Sequence, residues 1–287
     1  MPWYQAPAKI NLGLWVGPRD QSGFHPVDTV MQTVAFADQL YLEPSDHMLW
    51  ESSRSDLPMD PANLVVRSYT WCAARIAGLP PIRGRLDKVI PVGAGLGGGS
   101  SDAAAVIRWA LTYASELPFS ETVHDSGELG MDVPFFVRGG TARAEGYGDI
   151  LTTLPPMRPA GVVLANPGIS LSTPRVYEAY DRMGKPSDGE QIGRVIEALK
   201  TGALPDSGDL INDLEEPALA VLPALREFRD LLQRTAEGFP IAMSGSGPTY
   251  FILGQDEDWA EWMARRLTAR GVPWAQPTTV LDSWGKK

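Results

Sequence analysis

Apolar residues occupy every second position from Ala8 through Ile10, Leu12, Leu14 and Val16, with Lys9, Asn11, Gly13 and Trp15 between them. A period of two predicts a strand with one buried face, so Lys9 and Asn11 share the opposite face. Gly17-Pro18-Arg19-Asp20-Gln21-Ser22-Gly23 reads as a turn, and β-like patterns follow over residues 27–36 and 39–43. Asp60-Pro61-Ala62-Asn63 predicts a helix start with proline just inside it, the helix running to about Ile76. A short strand over 84–90 leads into a glycine-rich stretch, and a helix is predicted from Ser100 or Ser101 to Leu111. Residues 133–137 and 139–146 read as β. The proline-dense run Leu154-Pro155-Pro156-Met157-Arg158-Pro159 marks the expected boundary between domains of 1–157 and 158–287. Beyond it the pattern predicts a strand over 161–165 and helices over 174–182, 189–199, 217–235 and 256–270. A glycine turn followed by a strand is predicted within 242–253. Strands and helices thus mix in both halves, an α+β class.

Composition narrows the function classes. Of 287 residues, 44% are hydrophobic and 21% charged, enough for packed cores. The net charge of −10 argues against nucleic acid as a partner, because duplex binding rests on a basic face. A nucleotide ligand stays open, since backbone N–H groups alone can hold phosphate. Cys72 is the single cysteine, which excludes an intrachain disulfide; among Trp71, Ala73 and Ala74 it reads as a buried structural thiol. No apolar run reaches the ~18 residues of a membrane helix, and Met1-Pro2-Trp3-Tyr4-Gln5 does not begin a signal peptide. The expectation is a cytoplasmic protein with no membrane partner.

The most informative stretch is Pro91-Val92-Gly93-Ala94-Gly95-Leu96-Gly97-Gly98-Gly99-Ser100-Ser101-Asp102. Its glycines admit backbone conformations that other residues resist and let the chain approach a ligand closely. Ser100-Ser101-Asp102 is expected to cap the helix that follows. The free N–H groups and partial positive charge of a helix start suit a polyphosphate. Gly93 to Gly98 also fits the G-x-G-x-x-G dinucleotide pattern, which leaves a nicotinamide-dependent oxidoreductase or a non-catalytic nucleotide module as alternatives. The acidic residue that pattern requires falls at Glu116, after a helix rather than at a strand end. No lysine follows the glycines, so a Walker loop is absent.

These residues resemble the phosphate loop of the GHMP kinases. The triple glycine and double serine are similar to those of the diphosphocytidyl-methylerythritol kinases within that superfamily. Ala6-Pro7-Ala8-Lys9-Ile10-Asn11-Leu12 resembles their opening motif and Gly23-Phe24-His25 their G-Y-H motif. Gly130-Met131-Asp132-Val133-Pro134-Phe135-Phe136 resembles G-A-D-V-P-F-F. Met243-Ser244-Gly245-Ser246-Gly247-Pro248 resembles the C-terminal glycine motif, and Asn212-Asp213-Leu214-Glu215 a further family segment. The likeness spans residues 6–253 in order. It departs at Phe24, where tyrosine is usual, and at Pro26.

The resemblance implies a two-domain α+β GHMP fold: an N-terminal domain like ribosomal-protein S5 domain 2, a ferredoxin-like C-terminal domain, and a site in the cleft between them. It implies transfer of the ATP γ-phosphoryl group to the 2-hydroxyl of a cytidine-diphosphate-linked sugar alcohol, a step of non-mevalonate isoprenoid synthesis, by a monomer or homodimer. Asp132 is then the general base, with helix capping as its plainer alternative, and Lys9 its cationic partner. Pro91, Gly93, Ala94, Gly95, Leu96, Gly97, Gly98, Gly99, Ser100 and Ser101 cradle the ATP phosphates. Lys88 and Asn63 match positions near the adenosine pocket, or else are a surface lysine and a helix cap. His25 reads the cytosine, Phe24 and Tyr177 sandwich it, and Asn11 and Thr173 make further polar contacts to the acceptor. Mg2+ is implied; its ligands are unassigned, with Ser100 and Ser101 no more than candidates. His47 and His124 read as surface residues. Homoserine or mevalonate kinases are the nearest rivals within the superfamily, separated from this reading by the base-reading Phe24-His25 pair.

Overall fold

The computed structural model describes residues 2–114, 118–158, 160–184 and 187–282; Glu116 and Pro159 lie outside them. The chain forms two compact units, each drawn from several segments. One comprises Met1–Ala8, Ala37–Pro91 and Gly97–Arg138; the other comprises Lys9–Phe36, Val92–Leu96 and Gly139–Lys287.

Two strands run through both segment sets: β1 (Trp3–Val16) and β2 (Val27–Pro44). The patterns over 27–36 and 39–43 are therefore one continuous strand. In the first unit the C-terminal part of β2 pairs antiparallel with β4 (Ile82–Asp87), Gln39 opposite Asp87 and Pro44 opposite Ile82. A short β3 (Leu49–Ser52) lies parallel to β4 on its other side. Ile82, Gly84 and Leu86 face inward while Arg83 and Arg85 face out, the alternation of a half-buried strand. Helices α1 (Leu64–Ala73), α2 (Gly98–Leu111), α3 (Phe119–Asp125) and α4 (Val133–Arg138) complete this unit. α2 packs against α1 and α4, and its inner face is alanine-rich, which permits close approach of both neighbours. Trp109, Phe135 and Phe136 are fully buried there.

In the second unit the N-terminal part of β2 pairs antiparallel with β5 (Thr141–Glu145), which forms a hairpin with β6 (Ile150–Thr153). A separate antiparallel sheet has the order β10 (Trp274–Thr279), β7 (Gly161–Asn166), β9 (Tyr250–Gly254), β8 (Ile241–Met243). The remaining helices are α5 (Thr173–Met183), α6 (Glu190–Lys200), α7 (Glu215–Val221), α8 (Ala224–Thr235) and α9 (Glu257–Ala269). Central β7 is buried along its whole length, flanked by β10 and β9 and packed against α9. α8 turns Leu225, Phe228 and Leu232 inward at helical spacing and leaves its charges outward. These side chains join Leu14, Val16, Val163, Ile252 and Met263 in one core.

Several expectations need correction. The helix expected from Asp60 starts at Leu64, capped by the Asn63 side chain, which accepts from Val65 N at 3.0 Å. Residues 133–137, read as β, form α4: Pro134 sits in its first turn, where a missing N–H costs nothing. The helix expected over 217–235 is two, because Pro223 disfavours a helical Leu222, whose ψ is 83°. β1 is buried on both faces rather than one.

Candidate active site

Within the second unit, β1 carries Lys9 and Asn11 on one face, each 4% exposed. Lys9 Nζ donates to Asn11 Oδ1. Asn11 Nδ2 donates to Thr29 Oγ1 at 2.9 Å, and that hydroxyl donates to Gly13 O at 2.6 Å. The backbone beside this chain is held too: Lys9 N donates to Leu96 O at 3.0 Å. Ser244 Oγ donates to Gly95 O at 2.9 Å, joining the C-terminal glycine motif to the loop. Close approach is enforced at Gly95, whose φ is +75 and where a Cβ would stand 2.1 Å from Ser244 O. Gly245 does the same for Lys9: a Cβ there would stand 3.2 Å from Nζ. Asn212 braces the motif from behind, its Nδ2 donating to Met243 O and Gly245 O, both at 2.8 Å.

His25 is buried in the same unit. Gly17 O lies 2.8 Å from its Nδ1. Asp181 Oδ1 lies 3.1 Å from Nε2 but outside hydrogen-bond geometry, and Arg19 holds the other carboxylate oxygen at 3.0 Å. Tyr177 and Tyr180 rings pack at 5.3 and 5.4 Å from the imidazole. Tyr180 is fixed in turn, its hydroxyl donating to Val16 O. Phe24 is 62% exposed and makes an edge contact with Tyr147 at 6.0 Å. Of the two expected base-stacking rings, Tyr177 lies against His25 and Phe24 stands with Tyr147. Thr173 begins α5, its Oγ1 2.7 Å from Ser246 Oγ, so it neighbours the glycine motif.

In the first unit, α2 starts at Gly98 after Gly97, whose φ is +69, and no side chain caps it. Ser100, Ser101 and Asp102 lie inside the helix instead of capping it. Ser101 N donates to Gly97 O at 3.0 Å as the first intrahelical bond, so the amides of Gly98, Gly99 and Ser100 have no partner in the helix. Asp132, half-buried, directly precedes α4, and its carbonyl accepts from Phe136 N at 3.2 Å. Its motif approaches the start of α2: a Cβ on Gly130 would stand 3.9 Å from Ser100 Oγ.

Lys88 is not a surface lysine. Its side chain is 4% exposed and its Nζ lies 2.5 Å from Asp38 Oδ2 and 2.6 Å from Asp102 Oδ2. Burial by itself lowers the ammonium pKa, but the two carboxylates more than offset that and hold it above the ordinary lysine value. Burial raises the Asp102 carboxyl, with Asp38 adding to the rise and Lys88 opposing it. Cys72 is buried and its thiol is pushed up to about 12 by desolvation. His47 and His124 are exposed.

Asp38, Tyr180, Asp181 and the bracing role of Asn212 were not found in the sequence. Asp38 left one signal, a charged residue inside an otherwise strand-like run. Asp181 left none, since its partner is 156 positions away.

Residues 63–140 match the GHMP kinases N terminal domain and residues 195–272 the GHMP kinases C terminal domain. A curated 4-diphosphocytidyl-2-C-methyl-D-erythritol kinase of Heliobacterium modesticaldum is 40% identical, over 98% of this chain and 90% of its own. The chain belongs to the 4-diphosphocytidyl-2-C-methyl-D-erythritol kinase family. A crystal structure of a 4-(cytidine 5'-diphospho)-2C-methyl-D-erythritol kinase superposes with a TM-score of 0.78 at 34% identity, covering 97% of this chain and 98% of that one. The fold is accordingly the α+β GHMP kinase fold with two sheets. Homoserine kinase from Cytophaga hutchinsonii shares that fold at a TM-score of 0.74, but at 17% identity over 98% of this chain and 94% of its own. The rival named from the sequence is a neighbour in fold alone. Among the described residues, no helix is long and apolar enough to cross a membrane.

Proposed function

We propose that this protein transfers the γ-phosphoryl group of ATP to the 2-hydroxyl of 4-diphosphocytidyl-2-C-methyl-D-erythritol, in non-mevalonate isoprenoid synthesis. The observation that carries this reading is the uncapped start of α2, where the amides of Gly98, Gly99 and Ser100 remain unspent directly after the positive-φ glycines at 93, 95 and 97. Such amides suit phosphate oxygens without any lysine in the loop. Residues Pro91 and Gly93 to Ser101 are assigned to the triphosphate. Asn63, which caps α1, is assigned to the nucleoside side.

Phosphoryl transfer asks for positioning, charge stabilisation and a destination for the hydroxyl proton. Asp132 is assigned to take that proton. Lys9 is assigned to the charge on the moving group; its ammonium is buried and oriented by Asn11, so little reorganisation accompanies the reaction. Asn11 is thereby a positioning residue for Lys9. His25 is assigned to the cytosine edge, with Tyr177 and Phe24 as aromatic surfaces and Thr173 as a polar neighbour. The proposed domains, 1–157 and 158–287, place one matched family segment on each side of their boundary.

Mg2+ belongs to the same proposal. Among the described residues no group of three His, Cys, Asp or Glu side chains is arranged to hold a metal. A Mg2+ arriving with the nucleotide takes most of its oxygens from phosphate and water. Ser101 Oγ, buried with no hydrogen-bond partner, is a protein oxygen of the right kind. When bound, the ion supplies neutralisation of phosphate charge. The cytoplasm and a monomer or homodimer remain the expected setting.

The test is a phosphoryl-transfer assay with purified protein, Mg-ATP and a panel of alcohols. Turnover confined to the cytidine-diphosphate-linked acceptor is expected. Equal turnover of homoserine or mevalonate would overturn the assignment.

A further inference from the structure

The chain enters the glycine-rich loop through residues 88–90 and leaves it through α2. One carboxylate and one ammonium touch both ends. Asp38 on β2 accepts from Val89 N at 2.6 Å and Ile90 N at 2.8 Å through Oδ1. Its Oδ2 meets Lys88 Nζ, which also meets Asp102 on the first turns of α2. All three side chains are between 0% and 4% exposed. The ammonium lies close against the first residue of the helix: a Cβ on Gly98 would stand 2.8 Å from Lys88 Nζ.

The geometry points to Asp38, Lys88 and Asp102 as a buried strut that fixes the start of α2 relative to the strand end before the loop, and so sets the spacing of the ATP-binding amides. This rests on the reading of that loop as the nucleotide site. Lys88 is then a positioning residue, not a group that touches adenosine. Buried ionisable groups bring little net stability when apolar side chains of similar volume would pack as well. Their use here is geometric. One ammonium shared by two fixed carboxylates joins two segments that the flexible glycines between them would otherwise let drift.

The test compares the full-length parent with Lys88→Met, Asp102→Asn and the double variant. Two readouts are taken: KM and kcat in the phosphoryl-transfer assay, and amide hydrogen exchange over residues 91–104. Lys88→Met is expected to raise KM for ATP about tenfold, the scale on which members of one network couple. KM for the acceptor and kcat should stay within about threefold, the pattern of lost nucleotide binding. Exchange at 91–104 should quicken about tenfold or more while the core of α1 keeps its parental rate. Asp102→Asn, nearly isosteric, should shift both readouts in the same direction by less. The double variant should be no worse than Lys88→Met alone, because both changes cut one link. Parental exchange and KM in the folded single variants, or additive effects in the double, would overturn the strut. Should Lys88→Met fail to fold, Asp102→Asn decides alone by the same two readouts. A parent that turns over no cytidyl acceptor would sink the proposed reaction, and the exchange comparison would still decide the strut.

Discussion

Two lysines have buried ammonium groups. Lys88 is flanked by the carboxyl groups of Asp38 and Asp102, and Lys9 donates to the amide oxygen of Asn11. The bridge between two segments supports a positioning role for Lys88. Asp132, on the proposed mechanism, should matter to the rate and not to nucleotide affinity. Asp132→Asn is expected to lower kcat by about 10²–10⁴ with ATP affinity little changed; turnover near the parental value would remove it from the mechanism. His25 should act on the acceptor alone. Replacing it with alanine deletes one polar contact and the ring that Tyr177 leans on, worth about 1–2 kcal/mol, or roughly five- to thirtyfold in acceptor KM. An unchanged acceptor KM would withdraw the base-reading role. The identities of Lys9, Asn11 and His25 were legible in the sequence because each sits in a compact motif. The partners that fix them were not: Thr29, Tyr180 and Asp181 lie 18 to 156 positions away, and no local pattern encodes such pairings.

At the scale of elements, some periodic segments were legible and special local chemistry was not. α9 lies where its apolar spacing put it, with Asp256 as its cap. The apolar run at 133–137 has β-rich composition, yet it folds as α4 because packing against α2 outweighs weak strand propensity. The glycines before α2 were recognised as a loop, but the serines after them were given a capping role that the structure hands to no side chain. The β8–turn–β9 segment shows why a glycine motif is needed where the sequence places one. Gly245 has φ +56, and a Cβ would crowd Lys9 Nζ at 3.2 Å and Gly95 O at 3.2 Å. Gly245→Ala is therefore expected to cost about 1–2 kcal/mol for the left-handed backbone. It should also lower kcat by more than that stability loss explains, since the methyl displaces the Lys9 ammonium. Chemical denaturation and steady-state kinetics on the same preparation separate the two effects; a loss of stability with full kcat would show that Lys9 tolerates displacement.

At the scale of the whole molecule, an acidic chain of net charge −10 also buries carboxyl groups, and this gives its stability a definite dependence on pH. Glu215 opens α7 and accepts a 2.7 Å hydrogen bond from Tyr250 Oη on β9. Burial raises its pKa above the ordinary 4.5, against the opposing pull of Tyr250 and Arg229. The folded state therefore holds this proton more tightly than the unfolded state does. The associated stability is fully present below the unfolded pKa and is lost as pH rises through the raised folded value. Urea midpoints of the parent should accordingly fall as pH rises from about 4.5 toward neutrality. Glu215→Gln keeps an oxygen for the Tyr250 hydroxyl but has nothing to titrate, so its midpoints should fall less over the same interval and exceed those of the parent at the upper end. The sign is opposite to that of an exposed, hydrogen-bonded carboxylate such as Asp20, whose pKa is lowered to about 2 and whose contribution vanishes only on acidification. Parallel curves for parent and Glu215→Gln would mean that Glu215 ionises in the folded protein as readily as in the unfolded chain, and that burial beside Tyr250 and Arg229 costs its charge nothing.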